Sequence, residues 1–461
     1  MLNSIIIDDA DQLEELLRVI SDSDIIIHVI QSTDYKHIIF DNISAIYIYV
    51  IKYEIGYLIP INHIEAHYDI TPETLFGIIN QKEQLKYTFD KKSLLHIYPF
   101  DKLVDSNMLY YFMHNKPYEH DIIVNLKPLF KNPPPEYNIY QSLPLVKILD
   151  ICEQYINVTL DILNHNTIDI NDEGFRFYND FVIYNLYDIE SAGLYVDIDI
   201  LKEKFNGDSY KLVDNNLIYT EYYLYTSTGR PSNRFGGINF AALNKDDGSR
   251  EMLKSRHENG SLLDFDFEGY HLCLIAKIIN YDLPKDMSIH EYLGRQYFQK
   301  NEDLTPEEYN KSKGISFQIL YGGHAEKFVE IPYFNKVHDF ITLLYKKFNK
   351  DGYINAPISR KKLYKNNYPE MNPAKFFNYY IQLLETEYSL LLISNFNKLN
   401  TIYNKSKLVL YTYDSFLFDC HPDEKDYIIQ IKKILDESDI RYKVKMGENY
   451  NILKRVLFKK G

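Results

Sequence analysis

Tryptophan is absent, and the three cysteines, Cys152, Cys273 and Cys420, are scattered across 461 residues. An odd, dispersed set of thiols supports neither a disulfide framework nor a zinc site, so a reducing intracellular compartment is expected, whether cytoplasm, host cell or organelle. No apolar run approaches the ~20 residues that span a bilayer, and the leading MLNSIIIDDADQLEELL is acidic where a secretory signal is basic. A membrane or exported role is therefore not expected. Positive charge is also scarce, with 51 Lys and Arg against 65 Asp and Glu and a net charge of −14. That deficit weakens long-range attraction to a polyanion but does not forbid a local basic track.

What positive charge there is concentrates late in the chain. Residues 345–375 hold eight Lys or Arg against Asp351 and Glu370, and residues 441–461 hold seven against Glu448. Either run alone reads most simply as a solvated face.

The first ~130 residues alternate short strands and helices, which argues an α/β unit. A helix is expected at 9–21, strands at 24–31, 44–51 and 56–61, and helical pattern from 72 onward. Pro133, Pro134 and Pro135 read as a stiff linker. Two amphipathic helices follow over 144–192 and close on Gly193, with the main boundary near 190–196. Beyond it come short strands, a polar turn-rich stretch at 226–250, and mixed strand and helix segments.

Three later segments carry chemistry. In SLLDFDFEGYHLCLIAKI (261–278), Asp264, Asp266 and Glu268 alternate with Leu263, Phe265 and Phe267. Period two places the acids on one strand face, where like charges repel, so a cation is expected beside them. LVLYTYDSFLFDC (408–420) reads as a β-hairpin with Asp414 at its tip. Two strands of one sheet could bring Asp266 and Asp414 to a shared pair of hard divalent ions, as in-line phosphoryl displacement uses. Between them, TPEEYNKSKGISFQILYGGHAEKF (305–328) opens as a helix at Thr305-Pro306 and stops at Gly322-Gly323. Lys313, Phe317 and Tyr321 share one stripe of it, a cation and two rings suited to a nucleoside triphosphate.

Taken in order, these segments resemble the family A, polymerase I-like, DNA polymerases. TSTGRPSNR (226–234) is similar to the TxTGRxSS segment through Arg230, and DFEGYHLCLIA (266–276) resembles motif A through Asp266. SIHEYL (288–293) brings His290, and KGISFQILYGG (313–323) resembles motif B through Lys313, Phe317 and Tyr321. FNYYIQLLE (377–385) brings Asn378 and Gln382, and TYDSFLF (412–418) resembles motif C through Asp414.

The resemblance implies an α/β N-terminal exonuclease-like domain followed by an α+β right-hand polymerase core with an antiparallel palm sheet, helical fingers and a reduced thumb. Its boundaries fall at 1–190 for the exonuclease-like domain, 191–228 for a shortened thumb, 229–284 and 351–461 for the palm, and 285–350 for the fingers. It implies template-directed DNA synthesis: dNTPs and primer–template DNA as partners, and two Mg²⁺, replaceable by Mn²⁺, on Asp266 and Asp414. Lys313, Phe317, Tyr321, His290 and His271 would bind nucleotide, with Lys313 also giving a proton to the leaving pyrophosphate. Arg230, Asn239, Asn378 and Gln382 would contact DNA, and Arg360, Lys361 and Lys362 would extend that grip. A short thumb implies low processivity without a processivity or replisome protein.

The departures are specific. Motif C has Tyr413 and Ser415 where the family has His and Glu, leaving Asp264 or Glu268 to assist the metals. His271 replaces the motif A glutamate that helps exclude a ribose 2′-hydroxyl. Tyr309 replaces a phosphate-binding arginine, with His290 or Arg295 the expected substitute. In the N-terminal half, IIIHVIQST lacks the DxE acids, Tyr155 stands at a third-motif aspartate and Asp101 alone matches the second motif. No proofreading is expected there. The competing readings are a decayed nucleic-acid-binding accessory protein and a nucleotidyltransferase with relaxed sugar selectivity.

Overall fold

The computed structural model describes residues 2–32, 37–40, 43–67, 70–119, 139–205, 209–322, 330–368 and 370–456. The chain divides into two units, Met1–Tyr187 and Asp188–Gly461. The Pro133–Pro135 segment lies outside the described residues.

The first unit is built on a six-stranded mixed sheet. Its order is Asn3–Ile6, Ile55–Pro60, Ile43–Val50, Ile25–Gln31, Lys86–Thr88 and Leu103–Asp105. The strand Ile43–Val50 is buried along its whole length because both of its faces are covered. Ile46, Ile48 and Val50 join one core cluster with Leu13, Leu16, Leu75 and Phe76 from helices Ala10–Val19 and Pro72–Asn80. Ala45, Tyr47 and Tyr49 join another with Ile148, Ile151 and Ile156 from helix Leu145–His165. Period-two alternation thus feeds two apolar layers, each large side chain contributing about 1.5–3 kcal/mol on burial. Asp9 and Thr71 cap the two helices on the first layer.

The second unit carries a five-stranded sheet ordered Lys407–Tyr411, Ser415–Cys420, Ser261–Phe267, Tyr442–Gly447 and Lys454–Arg455, antiparallel throughout. The acidic strand Ser261–Phe267 is central, flanked by the hairpin on one side and by a Lys-rich strand on the other. Gly269, at φ +60°, turns this strand into helix Tyr270–Ile278, and a Cβ there would stand 2.4 Å from Ile289 Cγ2. Glycine meets both the left-handed backbone and the close approach. Helices Ile289–Phe298, Pro306–Gly322 and Pro332–Asp351 follow, then a short hairpin, Tyr353–Asn355 with Lys362–Tyr364, and the 26-residue helix Pro373–Lys398. Gly193, at φ +64°, follows helix Ile183–Ala192 as the sequence leads one to expect.

Candidate functional site

The hairpin register sets the site. Asp266 pairs with Ser415 across the two strands, and Phe267 N–H donates to the Asp414 carbonyl at 2.9 Å. Tyr413, at φ +75°, bends the turn so that Asp414 leaves the strand at the sheet end that also carries Asp266. Although Asp414 reaches solvent, protein crowds its carboxyl. That burial, with the charges of Asp266 and Glu385, lifts its pKa to about 6. The negative charge of Asp266 and Glu385 around the Asp414 carboxyl makes a donor set suited to a cation.

The cation expected beside the acidic strand is present as lysine. Antiparallel register places Lys445 opposite Asp264 and Lys443 opposite Asp266. The Lys445 ammonium lies 3.0 Å from Asp266 Oδ2 and 3.4 Å from Asp264 Oδ2. Asp264, buried, also accepts from the Ser415 hydroxyl, and burial raises its pKa. Glu268 is held 2.6 Å from Lys443 and 3.5 Å from Arg441. Asp264 is buried and bonded to Ser415, while Glu268 shares Lys443 and Arg441 much as Asp266 shares Lys445.

A second layer crosses the sheet end. Arg230 sits with its guanidinium carbon 4.0 Å from the Tyr413 ring centroid and its Nη2 2.7 Å from Glu385 Oε2. Glu385, only 1 % exposed, comes from helix Pro373–Lys398. His271 Nε2 lies 3.2 Å from the same carboxylate, and its Nδ1 meets the Tyr321 hydroxyl. Ser389, on the same long helix, ties the turn down by donating to the Tyr413 carbonyl at 3.2 Å. Gln382 bonds Asn378 at 2.9 Å one helical turn before Glu385, so these three share a face.

Helix Pro306–Gly322 closes the other side. Thr305 and Glu308 form a reciprocal capping box, Thr305 Oγ1 accepting from Glu308 N–H and Glu308 from Thr305 N–H. The Phe317 and Tyr321 rings stack 5.9 Å apart at 12°, and Lys313 lies 5.0 Å over the Tyr309 ring. His290 meets Phe317 edge-on at 6.0 Å; burial, then the Lys313 charge, lowers its pKa to about 4. Phe317 is 43 % exposed, so one face of its ring is open to solvent.

Asp266, Asp414, Arg230, His271 and Tyr321 thus gather at one end of the sheet, with His290, Lys313 and Phe317 joined to them through the stacked rings. Asn378 and Gln382 lie on the helix that supplies Glu385. No hydrogen bond or ion pair among the described residues links Asn239, Arg360 or Lys362 to this cluster; all three are exposed. Lys361 does not belong with them, being 2 % exposed, with burial pulling its pKa down, so its ammonium lies away from the surface a phosphate would meet. Arg295 is likewise no substitute phosphate ligand. It is 2.9 Å from Glu291, bonded to Asp303, and donates to the Asn301 carbonyl at 3.0 Å.

Glu385, Lys443 and Lys445 escaped sequence reading. The signal available for the lysines was their two-residue spacing on a strand, matching Asp264 and Asp266. Glu385 in LLETEY had none.

In the first unit, His28 stacks on Tyr155 at 4.0 Å, and burial drives the His28 pKa down to about 3. Asp101 donates its backbone N–H to Asn80 Oδ1 at 2.7 Å and accepts from Asn80 Nδ2 on its carboxylate at 3.3 Å.

No family model matches this sequence, and no curated protein matches it. Among solved structures, the chain is similar to the polymerase domain of Pol1 from M. smegmatis, in complex with DNA primer-template and dNTP. The TM-score is 0.70 at 12 % identity, over 97 % of this chain and 100 % of that one. At that identity the likeness is one of fold, a polymerase-like fold of mixed α and β content. No helix among the described residues is long and apolar enough to cross a membrane.

Proposed function

We propose that the chain extends a DNA primer on a template, joining dNMP from a dNTP to the primer 3′-hydroxyl with release of pyrophosphate. One observation carries this reading: Asp266 on the central strand and Asp414 in the adjoining hairpin turn meet at the sheet end reached by Tyr321, whose ring stacks on Phe317. Magnesium held there would lower the pKa of the attacking hydroxyl and neutralise the triphosphate. Hard carboxylate oxygens and the raised Asp414 pKa suit such an ion.

The remaining work falls to the chain's own side chains. Lys313 would bind phosphate and, as the triphosphate breaks, give its proton to the leaving oxygen. Phe317 and Tyr321 would pack the nascent base pair. Arg230, fixed by Glu385 and Tyr413, together with Asn378 and Gln382, would contact primer and template. Asn239, Arg360 and Lys362 are exposed positions from which duplex phosphates could be reached. Base choice would come from pairing geometry. In this reading the palm comprises 229–284 and 351–461, the fingers 285–350, the reduced thumb 191–228, and the exonuclease-like domain 1–190 has no proofreading site.

The test is primer extension with Mg²⁺ or Mn²⁺. Wild type should extend a primed template, whereas Asp266→Asn and Asp414→Asn should lose at least ~10³-fold activity and keep their fold. A wild type that extends nothing with either metal overturns the reading in favour of an accessory nucleic-acid-binding protein. The His271–Tyr321 bond gives specific support to a second reading, altered sugar selectivity, which a comparison of dNTP with rNTP incorporation decides.

A further inference from the structure

A cleft of about 390 Å³ opens between helix Pro306–Gly322 and the Lys-rich edge of the sheet. Ser288, Tyr309 and Asn310 line its helical wall, and Arg441, Lys443 and Arg455 its sheet wall. The same three cations border an adjoining cavity of about 1150 Å³. Glu268 is the one acid lining the smaller cleft, close to Lys443 and Arg441, so two positive charges are left over. Arg455 is exposed and forms no ion pair among the described residues.

This cleft adjoins the proposed nucleotide helix. Lys313 lies over the ring of Tyr309, which is itself a wall of the cleft. His290, two residues after Ser288, feels the charges of Lys313, Lys443 and Glu268 together. Lys443 stands directly opposite Asp266 in the antiparallel register, so the two side chains leave the same sheet face.

We infer that Arg441, Lys443 and Arg455 form a polyphosphate-binding pocket, which receives the inorganic pyrophosphate displaced toward the sheet edge from the Lys313 helix and for which tripolyphosphate is a probe. The inference rests on the proposed function for its role but stands on its own as a binding site. Two guanidinium groups and an ammonium line one small cleft, with Arg441 also donating to the Lys285 carbonyl at 3.2 Å, a set suited to a compact polyanion. Glu268 would give up its share of Lys443 and Arg441 when the ligand enters. The sequence marks 441–461 only as a basic run that reads most simply as a solvated face, and this reading replaces that one for Arg441, Lys443 and Arg455.

The probe is sodium tripolyphosphate, with pyrophosphate as a second, titrated calorimetrically into the full chain without divalent metal. Wild type should bind, Arg455→Gln and Lys443→Gln should each weaken binding roughly tenfold, and Lys443→Arg should retain it. In primer extension the two Gln variants should raise the dNTP KM and the pyrophosphate inhibition constant, with kcat little changed. If Lys443→Gln unfolds because Glu268 is left with Arg441 alone, the surface variant Arg455→Gln decides. Unchanged tripolyphosphate affinity in Arg455→Gln, or loss of primer–template affinity in its place, overturns the pocket. Wild type that extends primers while the variants bind tripolyphosphate normally sinks the pocket and spares the function. Wild type that binds tripolyphosphate through these residues but extends nothing does the reverse.

Discussion

Lys445 stands 3.0 Å from Asp266, so the strand expected to attract a cation carries one of its own. The same ammonium reaches buried Asp264 at 3.4 Å. Removing it leaves two neighbouring carboxylates, one of them inside the protein, without their counter-charge. Lys445→Met should destabilise the metal-free protein by about 2–3 kcal/mol. Added Mn²⁺ should raise the melting temperature of this variant more than that of wild type, because the ion can replace the missing charge. Equal shifts in thermal melts of the two proteins would remove Lys445 from any role at the metal site.

Glu385 holds Arg230 and lies 3.2 Å from His271, and His271 in turn meets Tyr321. Under the proposed function, His271 and Tyr321 stand where the sugar of an incoming nucleotide lies. His271→Ala should then raise incorporation of rNTP relative to dNTP by roughly tenfold, about 1.4 kcal/mol of lost discrimination. Glu385→Gln should behave differently, costing about 3–5 kcal/mol of stability because Arg230 is left partly buried and unpaired. Competition incorporation assays and chemical melts separate the two effects.

His290 is buried, and its pKa falls from 6.5 to about 4, first through burial and then through Lys313, with Lys443 adding and Glu268 opposing. A histidine with a depressed native pKa takes up its proton more readily when unfolded. The stability it confers is therefore complete above the unfolded pKa and is lost as pH falls from about 6.5 toward 4. His290→Gln should flatten this part of the pH–stability curve, by up to about 3 kcal/mol. His28, lowered to about 3 by burial alone, contributes the same sign in the other unit. NMR titration of the His290 ring with tripolyphosphate should show its pKa rising, since a polyanion favours the imidazolium.

Arg360 and Lys362 are exposed, while Lys361 between them is buried. In primer–template binding measured against salt, replacing Arg360 or Lys362 by Gln should each shrink the slope by about one unit if each meets a phosphate. Lys361→Met should leave the slope unchanged. A reduced slope for Lys361→Met would contradict its burial.

Much of the local structure was legible because it depends on short-range patterns. Alternation in Ile43–Val50 and Ser261–Phe267 encodes strands, Thr305-Pro306 encodes a helix start, and TYDS marks a turn. The acidic alternation even called for a nearby cation. Its identity was not legible, because Lys445 is 179 residues from Asp266 in the chain and only strand register brings them together. Arg295 was misassigned for a different reason: its partners are local, 4, 6 and 8 residues away, and the pair with Glu291 was open to helical spacing alone. A free-looking arginine on a helix is in fact held by Glu291, Asp303 and a carbonyl.

By itself the sequence determined which stretches could be strands, helices and turns, and which carboxylates, lysine and rings were available for phosphate chemistry, since those follow from residue type and period. Only the tertiary structure decided which charges neutralise one another: that Glu385 supplies the carboxylate beside His271, that Lys443 and Lys445 answer the acidic strand, and that Lys361 is buried. Coulomb energy depends on separation and local dielectric, and both are set by register and packing between segments remote in the chain.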